Sequence, residues 1–102
     1  MPHNFPHWTS SDVLIIIPAY NEEEVIAQTI SNIPKEYDVL VINNGSDDST
    51  AQQVRSSRAM IVEETRKGYG QAVWTGILEG IRRDYKIGVV YDADGANDPQ
   101  DI

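Results

Sequence analysis

At 102 residues the chain has room for one modest domain with a correspondingly small core. Sixteen acidic against eight basic side chains leave a net charge of −8, without the basic run that tracks a nucleic-acid backbone, which argues against nucleic acid as a partner. The absence of cysteine removes disulfide frameworks, thiolate metal sites and cysteine nucleophiles, and leaves the redox compartment open.

The first eight residues, Met1 to Trp8, have neither the basic start nor the apolar stretch of a secretory signal, and no apolar run reaches membrane-spanning length, so a cytoplasmic location is expected. Residues 1–11 read as a polar lead-in, expected to be disordered. His3 and His7 are separated by Asn4 and Pro6, which argues against a helix presenting both to a metal. Residues 12–102 read as the domain.

Val13-Leu14-Ile15-Ile16-Ile17 is a continuous apolar run rich in β-branched residues, the mark of a strand buried on both faces of a parallel sheet, and Pro18 is expected to stop it. Asn21 is placed to cap a helix with Glu22-Glu23-Glu24 in its first turn and Val25, Ile26, Thr29, Ile30 and Ile33 on one face, ended by Pro34. Val39 to Ile42 makes a second strand. The turn-rich Asn43-Asn44-Gly45-Ser46-Asp47-Asp48-Ser49 follows and caps a short helix to about Ser57. Ala59 to Val62 is the third strand. A helix from about Gly70 to Asp84 carries two neighbouring stripes, Val73, Ile77 and Ile81 apolar and Ala72, Gly76 and Gly80 small. The small stripe is read as close packing on the sheet, and Trp74 and Tyr85 as packing residues. Ile87 to Tyr91 is the fourth strand.

Strand and helix alternate throughout, which implies right-handed crossovers and an α/β fold: a parallel sheet of about four strands in the order 3-2-1-4 with flanking helices. In that order the winding reverses between strands one and four, and ligands bind outside their carboxyl ends. The loops meeting there are Ala19-Tyr20-Asn21-Glu22 and Asp92-Ala93-Asp94. Paired carboxylates at a strand end are suited to holding a hard divalent cation against a phosphate, and the cation would supply the positive charge that an acidic chain otherwise lacks.

Glutamates at the start of the first helix repel a pyrophosphate, which disfavours the dinucleotide site of dehydrogenases, and no phosphate-loop motif occurs. Gly68-Tyr69-Gly70, beside Arg66 and Lys67, is a fragment of glycine loop that offers amides and positive charge to a ligand phosphate.

Four motifs in order, Ile17-Pro18-Ala19-Tyr20-Asn21-Glu22-Glu23, Asn43-Asn44-Gly45-Ser46-x-Asp48-x-Thr50, Lys67-Gly68-Tyr69-Gly70-x-Ala72 and Asp92-Ala93-Asp94-Gly95-x-x-Asp98-Pro99-x-Asp101, carry a resemblance. From about Asp12 to Ile102 the chain resembles the amino-terminal half of a family-2 glycosyltransferase, most closely the polyprenyl-phosphate sugar synthases. The resemblance implies the nucleotide-binding half of a GT-A fold, a UDP- or GDP-type nucleotide-diphosphate sugar as donor, and Mg²⁺ or Mn²⁺ as cofactor. It places Pro18, Ala19, Tyr20 and Glu22 in the base and ribose pocket, Asn44 facing the base, and Lys67 and Gly70 near the nucleotide. Asp92 and Ala93 would lie on the ribose or sugar side, with Asp92 and Asp94 as metal ligands and Asp94 the principal one. The implied chemistry is inversion at the anomeric carbon.

Two departures stand out. The family usually has Asp-Asp-Gly-Ser where this chain has Asn43-Asn44-Gly45-Ser46, so an amide replaces a carboxylate that accepts from a base N–H. The Asn44-Gly45 pair is also prone to deamidation, and an aged sample is expected to carry Asp or isoAsp at position 44. The family's acceptor site and catalytic base come after the Asp-x-Asp strand, so no base is named here, and Asp98 and Asp101 are read as loop acids. Strand four is expected to leave a sheet edge uncovered, favouring homo-oligomers or a separate chain that supplies the acceptor half. The rival readings are a catalytically silent nucleotide-binding or self-assembly module and, less well matched by the acidic first loop, a nucleotidyltransferase.

Overall fold

A computed structural model describes residues 8–94, which form η1 (Ser10–Asp12), β1 (Val13–Ala19), α1 (Ile26–Asn32), β2 (Asp38–Asn43), α2 (Thr50–Arg55), β3 (Met60–Glu63), α3 (Tyr69–Arg82) and β4 (Ile87–Val90). The 3-10 turn η1 overlaps the end of the expected disordered lead-in: the Thr9 amide donates to the Asp12 carboxylate at 3.0 Å, directly before β1. His3, His7, Gly95, Asp98 and Asp101 lie outside the described residues.

The four strands form one parallel sheet in the expected order, β3-β2-β1-β4. All seven residues of β1 are buried, because it is flanked by strands on both edges and by helices on both faces. Odd-numbered β1 and β2 side chains (Ile15, Ile17, Val39, Val41) pack with Ile26, Ile30 and Ile33 at α1 and Val54 of α2. Even-numbered ones (Leu14, Ile16, Leu40, Ile42) pack with Ala72 of α3. The period of two along each strand thus divides the core into two layers, with α1 and α2 on one face and α3 on the other.

Two expectations about β1 and α1 are corrected. Pro18 does not end β1, which continues through Ala19 with Pro18 in register with Ile42. The Ile16 carbonyl accepts from Tyr91 on the β4 side and the Ala19 carbonyl from Asn44 on the β2 side. Alternation therefore aims the Pro18 nitrogen, which has no hydrogen to donate, toward β4 just beyond the last register pair, Ile16 with Val90, where the β1–β4 ladder ends. Val25 is exposed, since α1 begins one residue later, and Ile26, Thr29 and Ile30 form its buried face.

On α3 the buried residues are the small ones, Ala72, Gly76 and Gly80. A Cβ at Gly76 would lie 2.3 Å from Ile16 Cγ2, so the helix approaches the sheet at a distance only glycine permits there. Ile77 and Ile81 are consequently turned outward, and Trp74, expected to pack, is 55% exposed. Tyr85 does pack beside the Leu14 layer and donates its hydroxyl to Asp38 at 2.5 Å. No helix among the described residues is long and apolar enough to cross a membrane.

Candidate functional site

Where the winding reverses between β1 and β4, the carboxyl ends of β1, β2 and β4 surround a cleft of about 390 Å³, a size suited to a small ligand. Its walls are Pro18, Ala19, Tyr20 and Glu22 after β1, Asn44 after β2, Lys67, Gly68 and Tyr69 entering α3, and Asp92, Ala93 and Asp94 after β4. Every residue assigned to the site from sequence lines this cleft except Gly70, which lies in the first turn of α3 with its exposed face clear of neighbouring atoms. Gly68 and Tyr69 take its place. Tyr69 stood inside the quoted glycine-loop motif, but an aromatic between two glycines gave no signal of which way it faced.

The first loop is fixed by the second. Asn21 is not the cap of α1: it adopts φ 53°, its amide donates to Ser46 Oγ at 2.9 Å, and its Oδ1 accepts from the Asp47 amide at 2.8 Å. The Glu22 amide donates to buried Thr50 Oγ1 at 2.8 Å, and the Glu23 amide to Asp48 Oδ2 at 3.2 Å. The donors leading into α1 are therefore satisfied by side chains 25 to 28 residues away, so they are already occupied and the loop is rigidly placed. Burial, then the charge of Asp94, then that of Asp48, push the Glu22 carboxyl above its usual range. Glu22 and Asp94 thus crowd negative charge onto one wall of the cleft.

The opposite wall hangs from Asn44. This side chain is buried; its Nδ2 donates to the Glu64 carbonyl at 3.1 Å and to the Arg66 carbonyl at 2.8 Å, while its Oδ1 accepts from the Gly68 amide at 3.1 Å. Glu64 is buried beneath the same segment and accepts from Arg66 Nη2 at 2.8 Å, Arg66 N at 2.8 Å and Thr75 Oγ1 at 2.6 Å. Those bonds, the Arg66 side chain first and Thr75 next, hold its carboxyl down at about 2. Arg66, offered from sequence as positive charge for a ligand, is instead committed to Glu64, whereas Lys67 on the cleft wall forms no ion pair among the described residues. Asn43 donates to Glu63 at 2.8 Å, and its Oδ1 is buried without a hydrogen-bond partner.

The donor set suits a hard divalent cation. Asp92 and Asp94 supply carboxylate oxygens at the end of β4, and the Glu22 carboxyl shares the cleft wall with them, so a cation would offset negative charge there. No group of three or more His, Asp or Glu side chains among the described residues is arranged to hold a metal by itself. Two carboxylates fit a Mg²⁺-like ion that completes its shell with water and ligand phosphates.

The sequence model described as "Glycosyl transferase family 2" matches residues 14–102. An uncharacterized glycosyltransferase of Mycobacterium tuberculosis is 39% identical over 90 residues, covering 88% of this chain and 40% of that protein. An undecaprenyl-phosphate mannosyltransferase of Micrococcus luteus is 33% identical over 99 residues, covering 88% of this chain and 41% of that protein. The chain thus spans about two fifths of the length of these curated relatives. Among solved structures, a mannosyltransferase from Pyrobaculum calidifontis in complex with GDP-Man and Mn²⁺ superimposes with a TM-score of 0.63 at 31% identity, over 81% of this chain and 27% of that one. Glucosyl-3-phosphoglycerate synthase from M. tuberculosis in complex with Mg²⁺ and UDP gives 0.68 at 25% identity, over 87% of this chain and 38% of that one.

Proposed function

This chain belongs to glycosyl transferase family 2, and on that footing we propose that its cleft binds the diphosphate of a UDP- or GDP-sugar, with a divalent cation, for inverting transfer of the sugar. The observation that carries the proposal is the meeting of Asp92 and Asp94 with Tyr20, Glu22 and Lys67 around one cleft, from three loops far apart in sequence. Tyr20 and Tyr69, both more than half exposed, offer flat faces against which a base can lie. Lys67 supplies a mobile positive charge for a phosphate oxygen. Asp92 and Asp94 would hold Mg²⁺ or Mn²⁺, which neutralises charge on the departing nucleoside diphosphate. Glu22, which lines the same cleft as Asp94, adds a carboxylate to that wall and so favours a cation there.

A polyprenyl phosphate is the proposed acceptor, supported by the undecaprenyl-phosphate enzyme among the relatives. No described residue is assigned as the catalytic base. Among the described residues the β4 edge has no strand beyond it, and self-association through it is part of the same proposal. A second reading, a nucleotide-binding module with a weakened hold on the base, draws support from Asn44, whose amide is spent on the protein's own backbone and not left for a base. Titration of UDP and GDP into the chain with and without Mn²⁺ tests the donor-binding proposal that both readings share.

A further inference from the structure

Asn44 stands at the end of β2 with both amide hydrogens and its oxygen engaged by one five-residue segment, the carbonyls of Glu64 and Arg66 and the amide of Gly68. That segment delivers Lys67 and Gly68 to the cleft and leads directly into Tyr69. Gly68, at φ 117°, is held in a conformation that side-chain-bearing residues avoid, and its amide is the one that Asn44 Oδ1 receives. We infer that Asn44 is a positioning residue that sets the donor-facing loop by a bonding pattern only an amide can complete, so the isosteric acid cannot replace it.

The chemistry of the pattern decides this. Two carbonyl oxygens need donors, and a carboxylate has none to give. Aspartate at position 44 would leave the Glu64 and Arg66 carbonyls facing a negative oxygen in a buried place, while keeping only the bond from Gly68. Glu64 cannot compensate, because its carboxylate only accepts, here from Arg66 and Thr75, and has no hydrogen to give the carbonyls. The loop is therefore expected to detach locally, with Lys67 and Tyr69 losing their set positions, while the strands and α3 stay packed.

The test uses the ¹⁵N-labelled full chain and its Asn44→Asp and Asn44→Ala variants. In the wild type, the Gly68 amide is expected to exchange with solvent at least about tenfold more slowly than in an unstructured chain, reflecting its bond to Asn44. Asn44→Asp is expected to raise exchange across residues 64–68 about tenfold or more, as much as Asn44→Ala does, while the amides of β1 and β2 keep their protection. An Asn44→Asp variant whose Gly68 exchange matches the wild type would overturn the inference, as would a loss of protection spread evenly over the sheet. Should the variants not fold, the wild-type measurement decides alone: an unprotected Gly68 amide contradicts the clamp.

A second arm rests on the donor-binding proposal. UDP or GDP affinity in Mn²⁺ is expected to fall about tenfold in Asn44→Asp, and unchanged affinity would contradict the positioning role. A wild type that binds neither nucleotide would sink the donor-binding proposal and leave the exchange measurement to judge the clamp.

Discussion

Gly76 lies so close to Ile16 that a Cβ at its position would come within 2.3 Å of Ile16 Cγ2, whereas a Cβ at Gly80, one turn on, would meet Leu14 Cδ2 at an ordinary 3.4 Å. The same change at the two glycines is therefore expected to act with opposite sign. Gly76→Ala gains helix propensity but forces α3 off the sheet, for a net loss of about 1–3 kcal/mol. Gly80→Ala should be neutral or stabilise by up to about 1 kcal/mol. Urea unfolding of both variants checks this, and equal destabilisation would mean that the approach of α3 is not limited at Gly76.

Thr50 joins the two loops that shape one side of the cleft. Its hydroxyl accepts from the Glu22 amide at 2.8 Å and donates to Asp48 at 2.5 Å. Thr50→Val keeps the shape but strands the Glu22 donor, with an expected cost of about 1–3 kcal/mol. Denaturant unfolding should show that loss, and a variant as stable as wild type would mean that the Glu22 amide finds another acceptor.

Acid should remove stability in a defined window. Glu64 and Glu79 are each held at about 2, Glu64 by Arg66 and then Thr75, Glu79 by Arg82 and then Arg83, against 4.5 for an unperturbed glutamate. A carboxyl whose folded value is depressed stabilises the fold above the unfolded value and loses that contribution as pH falls toward the folded one. The melting temperature is thus expected to drop between about pH 5 and pH 2. Glu64→Gln, less stable at neutral pH, should close the gap to wild type across that window. A gap of constant size would show that the Glu64 bonds are not the source.

The buried strands were legible in the sequence because parallel strands are written as continuous apolar runs, as in Val13 to Ile17 and Val39 to Ile42, while their order and the position of the cleft followed from the doubly wound pattern of alternating strands and helices. The start of α1 was not. Asn21 followed by three glutamates reads locally as a capped helix, yet α1 starts only at Ile26 without a side-chain cap, because Thr50 and Asp48 take the Glu22 and Glu23 amides into the preceding turn, and a bond spanning 25 or more residues leaves no local pattern. The two stripes of α3 are both chemically able to face a sheet, and only the actual distance to Ile16 selects the small one. Glu64 escaped notice because a glutamate between a strand and a basic pair looks like a solvated surface residue, while its burial depends on Arg66 and Thr75 folding over it. Arg66 was misread for the same reason.

The Asn44-Gly45 pair invites deamidation by sequence, but the bonding of Asn44 opposes it. Cyclisation requires the Gly45 nitrogen to reach the Asn44 side-chain carbon, and three hydrogen bonds hold that amide elsewhere. Folded protein stored at neutral pH is expected to show little mass gain at position 44 by peptide mapping, and urea-unfolded protein much more. Equal rates in the two samples would argue that the amide is not restrained.

The most direct measurement is calorimetric titration of UDP and GDP into the full chain, in Mn²⁺ and in chelator, alongside an Asp94→Ala variant of verified fold. Binding of one nucleotide that requires Mn²⁺ and weakens at least about tenfold in Asp94→Ala is the expected result, equivalent to about 1.4 kcal/mol or more. Nucleotide binding indifferent to both the metal and Asp94, or no binding by the folded chain, would contradict the assignment of this cleft as a metal-dependent donor site.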